Sequence, residues 1–335
     1  MLVEVEHIGL IFFGVSLLLI VGMVVRRASI VRKERRHGQA AARLRPQAIA
    51  YVESDDAEPP QLRGRDADVF AGLLGGYSRL LRGPAAARIA AYLDERGAVD
   101  RQLRRLESRR SWRRAAAAFE LGDMRAVRAT QQLLGALEDR SRDVRMAAAR
   151  SLGRVDAVEA VGPLIAAAIA RRVPSGVAGL ALLDIGPAAV PRLLELSGDP
   201  NPNVRAGAIE LVGLLGNAGE AAPLRERMTD PAAAVRAATA TALGRLGAEK
   251  SRDLLVRALD DRLPAVRTVA AEALGRTGGR TAAEALLPVA RNDEFEPARA
   301  AARSLARIDP ARVVAAAAEP EAGPHLVEQA DRIAL

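Results

Sequence analysis

The chain contains 335 residues, of which none is cysteine and three are histidine, and it carries a formal net charge of +8 at pH 7. The absence of cysteine excludes disulfides, a thiolate nucleophile and a cysteine-based zinc site. Because the histidines are His7, His37 and His325, no pair has the spacing of metal ligands on one helix, and we expect no metal and no cofactor.

An uncharged apolar run of eighteen residues lies near the N-terminus, at residues 8–25. As a helix it would be about 27 Å long, close to the hydrocarbon thickness of a bilayer, about 30 Å. A cleaved signal peptide and a helix buried in a soluble domain are the alternatives. A signal peptide carries positive charge before its apolar core, but here Glu4 and Glu6 precede the run. The run therefore predicts a transmembrane helix, with residues 1–7 as a short extracytoplasmic N-terminus.

A basic juxtamembrane segment, residues 26–48, follows the apolar run. Its first twenty residues contain eight arginines and lysines against one glutamate. By the positive-inside rule this asymmetry keeps the C-terminal part in the cytoplasm, as a single-pass protein of the cytoplasmic membrane. The segment is either a simple topology signal or a surface that lies on anionic lipid headgroups. The candidate membrane-surface contacts are Arg26, Arg27, Arg32, Lys33, Arg35 and Arg36.

Most of the net charge is confined to this basic segment. Residues 26–45 contribute +7 and residues 1–25 contribute −2, which leaves only +3 for residues 46–335. A surface that is nearly neutral is a poor match for a phosphate backbone. We therefore expect no nucleic-acid partner.

Two further pieces lie between the basic segment and the rest of the chain. Residues 49–64 contain an acidic cluster and a pair of prolines, which are typical of an exposed linker. Residues 65–108 return to helical periodicity, and we expect three helices that cap the following repeats.

A cassette of about thirty-one residues recurs through residues 109–318, in about seven copies. In its four clearest copies an aspartate lies five residues before a Val-Arg pair, and a glycine lies nine residues after the valine. Such a period predicts stacked pairs of short helices, since one pair alone cannot cover its own apolar face. The aspartate is expected to cap the first helix, and either this glycine or a following Leu-Gly, as at Gly244 or Leu246-Gly247, is expected to end it. Residues 319–335 remain as a C-terminal tail or cap.

The recurring aspartates and arginines predict two parallel ladders along the stack. Each arginine can reach a loop aspartate or carbonyl of its own or the adjoining unit. Charge-assisted hydrogen bonds of this kind would fix the register between repeats, which is a structural role. The ladder residues are Asp139, Arg145, Asp199, Arg205, Asp230, Arg236, Asp261 and Arg267.

The repeats resemble the bacterial HEAT repeats, including the short type first named from phycobilisome lyases. The resemblance is carried by the Asp-Pro-x-x-x-Val-Arg runs from Asp199 and Asp230 and by the Ala-x-Ala-Leu-Gly endings at Gly244 and Gly275. It implies an all-α fold, a right-handed α-solenoid of HEAT-like helical hairpins, here preceded by one transmembrane helix. This fold hosts adaptors, lyases and a di-iron hydroxylase family. The hydroxylases depend on repeated His-Glu pairs, which this sequence lacks.

No catalytic residues are expected. The sequence has no Walker-type glycine loop, and its serines and threonines have no neighbouring base. In a two-helix solenoid the second helices line the concave side and offer a groove to another protein. The candidate partner contacts on that side are Gln131, Gln132, Arg225, Arg252 and Arg257.

The sequence thus predicts a non-enzymatic cytoplasmic scaffold or adaptor, anchored in the membrane, that binds another membrane-associated protein. The resemblance to single-pass bacterial HEAT proteins further implies a membrane glycosyltransferase as that partner. Two alternatives stay open. One is a bilin-lyase-like or other enzyme of the HEAT-like class, and the other is a nucleic-acid-binding scaffold.

Overall fold

The computed structural model describes residues 35–54, 57–247 and 249–335, together with Met23, Arg27 and Arg32. The predicted transmembrane helix, residues 8–25, lies outside the described residues except for Met23. Throughout the described part of the chain the regular structure is helical and no strand occurs, so the all-α prediction is confirmed there. The chain divides into two compact units, Gln102–Gly122 with Val127–Leu335, and the residues up to Arg101 with Asp123–Ala126.

The first unit is built around three aromatic rings. Its helices are α1 (35–53), α2 (Gly64–Ser78), α3 (Pro84–Glu95) and the start of α4 (Ala98–Leu106). The rings of Tyr51, Phe70 and Tyr92, one from each of the first three helices, lie 5.5–6.2 Å apart between centroids. Such edge and tilted contacts add to the apolar burial of the core. The other large buried side chains here are Leu44, Leu74, Ile89 and Leu93.

Helix α1 differs from the sequence-based expectation. A linker is predicted from residue 49, but residues 49–53 continue the helix and Tyr51 is only 7% exposed. Leu44, Ala48 and Tyr51 recur at helical spacing, so they form one apolar face that packs into the aromatic core. The guanidinium of Arg88 then donates to the Val52 carbonyl at 3.0 Å at the end of the helix. The described residues from 57 to 63 are non-helical.

The second unit is an array of helix pairs. Residues 111–317, as far as the structure describes them, form seven consecutive pairs, and a last helix, α19 (Pro324–Ala334), follows them. The pairs are α5 (Ser111–Asp123) and α6 (Thr130–Ala136), α7 (Arg142–Arg154) and α8 (Val161–Ile169), α9 (Ser175–Ile185) and α10 (Val190–Leu196), α11 (Pro202–Leu215) and α12 (Ala221–Leu224), α13 (Ala233–Arg245) and α14 (Arg252–Arg257), α15 (Pro264–Thr277) and α16 (Arg280–Asn292), and α17 (Phe295–Ile308) and α18 (Pro310–Ala317).

The cassette glycine allows close approach and does not end its helix. A Cβ atom on Gly244 would lie 2.7 Å from the Cα atom of Ala273 in α15, which is the first helix of the next pair. Real Cβ atoms do not approach another atom this closely. Gly244 itself lies inside α13, and the left-handed residue beyond that helix is Gly247, with φ of 62°. Of the two expected helix ends, Gly244 is therefore wrong, and the helix ends at Leu246-Gly247. The same close approach occurs at Gly122, Gly153, Gly213 and Gly275.

The cassette aspartate also differs from its expected role. The N-cap of α11 is Asn201, whose side chain accepts from the Asn203 amide, and Asp199 lies two residues before that cap. Asp199 Oδ1 accepts from the Asn201 amide at 2.8 Å, and Asp230 Oδ1 accepts from the Ala232 amide at 2.9 Å. The aspartate thus shapes the loop before the helix, in a local side-chain turn.

One stretch among the described residues, Ser175–Leu196, is long and apolar enough to cross a membrane, judged by length and composition alone. In the structure it is the third helix pair of the array. The two helices are separated by a short 3-10 turn at Gly186, where φ is 71°. Because this backbone conformation breaks α9, the stretch is not a continuous straight helix.

Candidate protein-interaction surface

The repeated arginines join consecutive helix pairs. Arg205 Nη1 donates to its own loop, at 2.9 Å to the Asp199 carbonyl and 3.0 Å to the Pro200 carbonyl. Its Nε and Nη2 donate to the two carboxylate oxygens of Asp230 in the next loop, at 2.9 and 2.8 Å. One guanidinium therefore fixes two loops by a bidentate ion pair and two carbonyl bonds. We call this arrangement the arginine staple; it occurs at Arg114, Arg205 and Arg236, and at Arg267 with one loop carbonyl, that of Asp261.

Sequence reasoning missed both outer staples. Arg114 binds Asp139 at 2.7 and 2.8 Å, and Arg267 binds Asp293 at 2.8 and 2.6 Å. Arg114 stands in register with the cassette, which is a usable signal. Asp293 is followed at the cassette spacing by Ala298-Arg299 instead of a Val-Arg pair, so it falls outside the cassette pattern.

The array is irregular at the third pair, because neither of its two junctions with the neighbouring pairs has a staple. Arg145 donates to the backbone carbonyl of Arg172 at 2.7 Å, in place of an aspartate, and otherwise binds its own loop through the Asp139 carbonyl at 2.8 Å. Helix α9 contains no arginine, so no staple runs from it to Asp199 in the next loop. The two predicted ladders are therefore interrupted at the third pair, which we call the irregular step, because the usual ion pair is missing there.

The staples keep their carboxylates ionised. The hydrogen bonds from Arg114, Arg236 and Arg267 hold the pKa values of Asp139, Asp261 and Asp293 below their ordinary range, against the opposing influence of burial. At Asp230 burial is the largest influence and would raise the pKa, but the hydrogen bonds from Arg205 and the Ala232 amide, with the charges of Arg205 and Arg227, together lower it. Carboxylates held in this way are poorly suited to proton transfer near neutral pH.

The five predicted partner contacts separate into two groups. Gln131, Gln132 and Arg257 are exposed on the second helices. Arg225 Nε instead donates to Ser251 Oγ at 3.1 Å, and Arg252 Nη2 donates to the Thr277 carbonyl at 3.3 Å. Both of these arginines are partly buried and bind the next helix pair. Their spacing on a helix predicts exposure, but their length lets them reach across the stack.

An open cleft of about 590 Å³ lies between α14 and α16. Its wall combines apolar side chains with the Asn292 amide and with the guanidinium and carboxylate of the Arg267–Asp293 staple, which suits a peptide segment more than a small ion. Within the described residues no group of three or more His, Asp or Glu is arranged to hold a metal ion. The cleft is lined by Val256, Leu259, Asp260, Asp261, Arg267, Ala285, Pro288, Val289, Asn292 and Asp293.

The predicted membrane-surface residues are only partly described. Arg27, Arg32, Arg35 and Arg36 are exposed, whereas Arg26 and Lys33 lie outside the described residues. Arg36 also lines a groove of about 300 Å³ in the first unit. The other side chains of that groove include Gln39, Arg43, Arg65 and Asp66, of which Arg43 and Asp66 form an ion pair.

Comparison with known proteins identifies the repeats. A family model described as HEAT repeats matches residues 99–177, 173–239 and 221–307, which together span more than half of the chain. No curated protein matches the sequence.

Several solved structures share a helical resemblance with the chain. Human deoxyhypusine hydroxylase is 21% identical over 79% of this chain and 96% of that chain, with a TM-score of 0.33. The complex of CpcE and CpcF of phycocyanin lyase from Nostoc sp. PCC7120 is 23% identical over 70% and 94%, with a TM-score of 0.33. An engineered protein is 19% identical over 85% and 81%, with a TM-score of 0.36. Similarities this low carry no argument about activity.

Proposed function

The chain belongs to the HEAT-repeat family, and from this premise we propose that its array is a non-enzymatic scaffold, tethered to the cytoplasmic face of the membrane, that binds another protein. One observation carries the proposal. The repeated charged side chains hold consecutive helix pairs together, while the exposed side chains of the second helices form an extended surface. Stacked repeats commonly use such a surface to bind a partner along its length.

We place the partner segment along the second helices, over the cleft between α14 and α16. The apolar side chains of Val256 and Pro288 would contact apolar residues of the partner, and Asp260 and Asn292 would bind its polar groups. Gln131, Gln132 and Arg257 extend the same set of helices and are the further contacts that this proposal assigns.

The membrane tether rests on the sequence of residues 8–25 and on the basic residues that follow it. Exposed Arg35 and Arg36, in the first described turn of α1, suit contact with anionic headgroups. Tethering confines the array to one surface and raises its effective concentration for a membrane-associated partner. By resemblance to single-pass HEAT proteins, that partner is a membrane glycosyltransferase or its complex.

Membrane extraction tests the tether. The full chain should stay in the membrane pellet through high salt and alkaline carbonate, whereas a chain that lacks residues 1–34 should be released. Release of the full chain by salt alone would show that basic residues hold it at the surface and that no helix spans the bilayer.

Affinity purification from detergent-solubilised membranes tests the partner and the cleft. Asp260→Arg combined with Asn292→Arg should reduce recovery of the partner at least tenfold. Glu272→Arg, an exposed change on first helix α15, is the matched control and should leave recovery unchanged. Equal recovery with both variants would refute the cleft as the binding site. Repeated recovery of unrelated soluble proteins would refute a membrane partner.

A further inference from the structure

Stacking defines equivalent positions on the first helices. Gly213 packs against Ala242 and Gly244 packs against Ala273, and each contacted alanine lies two residues before the glycine of its own helix. Gly153 packs in the same way against Ala181 of α9. The residue two positions after Ala181 is Leu183, which therefore stands where the neighbouring helices have glycine.

Leucine at this position leaves α9 uncovered on one side. A glycine at this position lets the first helix of the next pair come into backbone contact. Leu183 prevents such close contact between α9 and α11, and its side chain remains 41% exposed. Leu180, one turn earlier, is 62% exposed, and a Cβ on Gly176 or Gly179 would meet nothing within 4 Å. We call these four residues, Gly176, Gly179, Leu180 and Leu183, the α9 face.

The α9 face belongs to the stretch Ser175–Leu196, which is long and apolar. Less than half of the stretch Ser175–Leu196 is buried, although its composition would suit a membrane span. On the opposite side of the irregular step, Leu214 of α11 is also 53% exposed. Exposed apolar side chains grouped in this way are the usual mark of an interaction surface.

The charged side chains beside the α9 face indicate which partner binds it. Arg150, Leu180 and Glu210 each lie three residues before the glycine position of α7, α9 and α11, so they occupy equivalent positions, here called a row, on three consecutive first helices. All three are exposed, and within the described part of the chain neither Arg150 nor Glu210 forms an ion pair. The row therefore reads cation, apolar, anion.

This row is complementary to itself. If a second copy is turned by 180° about an axis parallel to α9, Leu180 meets Leu180, Arg150 meets Glu210, and Glu210 meets Arg150. If the second copy is instead turned about an axis perpendicular to the helices, Arg150 meets Arg150 and Glu210 meets Glu210, so like charges repel each other. We infer that the α9 face is the interface of a homodimer, in which the two copies of α9 pack in parallel about a two-fold axis. Such an interface uses the same patch on both subunits.

Cysteine cross-linking tests the axis directly, because the native chain has no cysteine. Leu180→Cys places one thiol next to its own copy, and mild oxidation of membranes should convert most of the protein to a covalent dimer. The control is Glu272→Cys, which occupies the equivalent position on α15, away from the axis, and should give at least tenfold less dimer. Equal cross-linking of both variants, or cross-linking of Leu180→Cys to a different protein, would overturn the homodimer.

A charge exchange tests the rim. Arg150→Glu and Glu210→Arg each create two like-charged contacts and should each lower the dimer fraction, measured by subunit counting of single molecules in the membrane. The double variant restores both opposite-charge contacts and should recover the dimer. Both side chains are exposed, so unchanged thermal unfolding of all three variants verifies that the fold is intact. A double variant that is as monomeric as the single variants would overturn the proposed axis.

Discussion

The guanidinium of Arg236 holds the carboxylate of Asp261 by two hydrogen bonds, Nε to Oδ2 at 2.7 Å and Nη2 to Oδ1 at 2.9 Å. The two residues belong to consecutive helix pairs, and both side chains are nearly buried, with exposed fractions of 10% and 12%. Arg236 also donates to the Asp230 carbonyl of its own loop at 2.9 Å. The stability of each pair is therefore shared with its neighbour, as in other stacked repeats.

Replacing Arg236 by lysine should destabilise the array although the charge is kept. A lysine ammonium cannot bind both carboxylate oxygens and the loop carbonyl in this planar arrangement. We expect the free energy of unfolding to fall by about 1.5–3 kcal/mol, the range of hydrogen bonds to charged groups. Urea unfolding measures the change. Arg257→Lys, at an exposed position, is the control and should change stability little; an equal loss there would contradict the staple.

Two glycine substitutions should have opposite signs. Gly244→Ala places a Cβ 2.7 Å from the backbone of Ala273, and overpacking of this kind should cost about 1–3 kcal/mol. In Gly207→Ala, inside α11, the new Cβ meets nothing within 4 Å, and the better helix former should stabilise by about 0.5–1 kcal/mol. Thermal unfolding of the two variants checks both signs. Stabilisation by Gly244→Ala would contradict close approach of α13 and α15.

Acid should weaken the array through the staple carboxylates. Their pKa values are lowered in the folded chain, so their contribution to stability is complete above the unfolded value of about 3.8. It should be lost progressively as the pH falls through this value and then through the lower folded pKa values. Urea unfolding between pH 7 and pH 3 measures the loss. Asp261→Asn should be less stable at pH 7 and should show a shallower decline; an unchanged slope would argue against this assignment.

Two N-terminal truncations should separate membrane attachment from folding of the first unit. Removal of residues 1–34 leaves α1 intact, so the unit should keep its packed aromatic core. Removal of residues 1–53 also deletes Leu44, Ala48 and Tyr51 from that core. Near-ultraviolet circular dichroism should report an ordered aromatic environment in the first truncation and its loss in the second. Equal spectra would mean that α1 is dispensable for this core.

Much of the second unit is predictable because its repeats obey a local rule. The period of the cassette requires two short helices per copy, and the described residues of 111–317 form consecutive pairs of short helices. Pairing of Asp and Arg follows from their recurrence at one spacing. The irregular step is less visible, because the replacement of glycine by Leu183 acts only when a neighbouring helix is placed beside it.

By itself, the sequence determined the helical class, the repeat period and the identity of the side chains that recur, because helix formation and apolar periodicity are properties of neighbouring residues. Only the tertiary structure decided what those side chains do. In the folded chain the cassette aspartate accepts hydrogen bonds from the arginine of the preceding pair, and the glycine is a point of close contact between helices. Tyr51 becomes a core residue of the first unit. These roles depend on distances between residues about twenty to forty positions apart, and such distances exist only after the chain has folded.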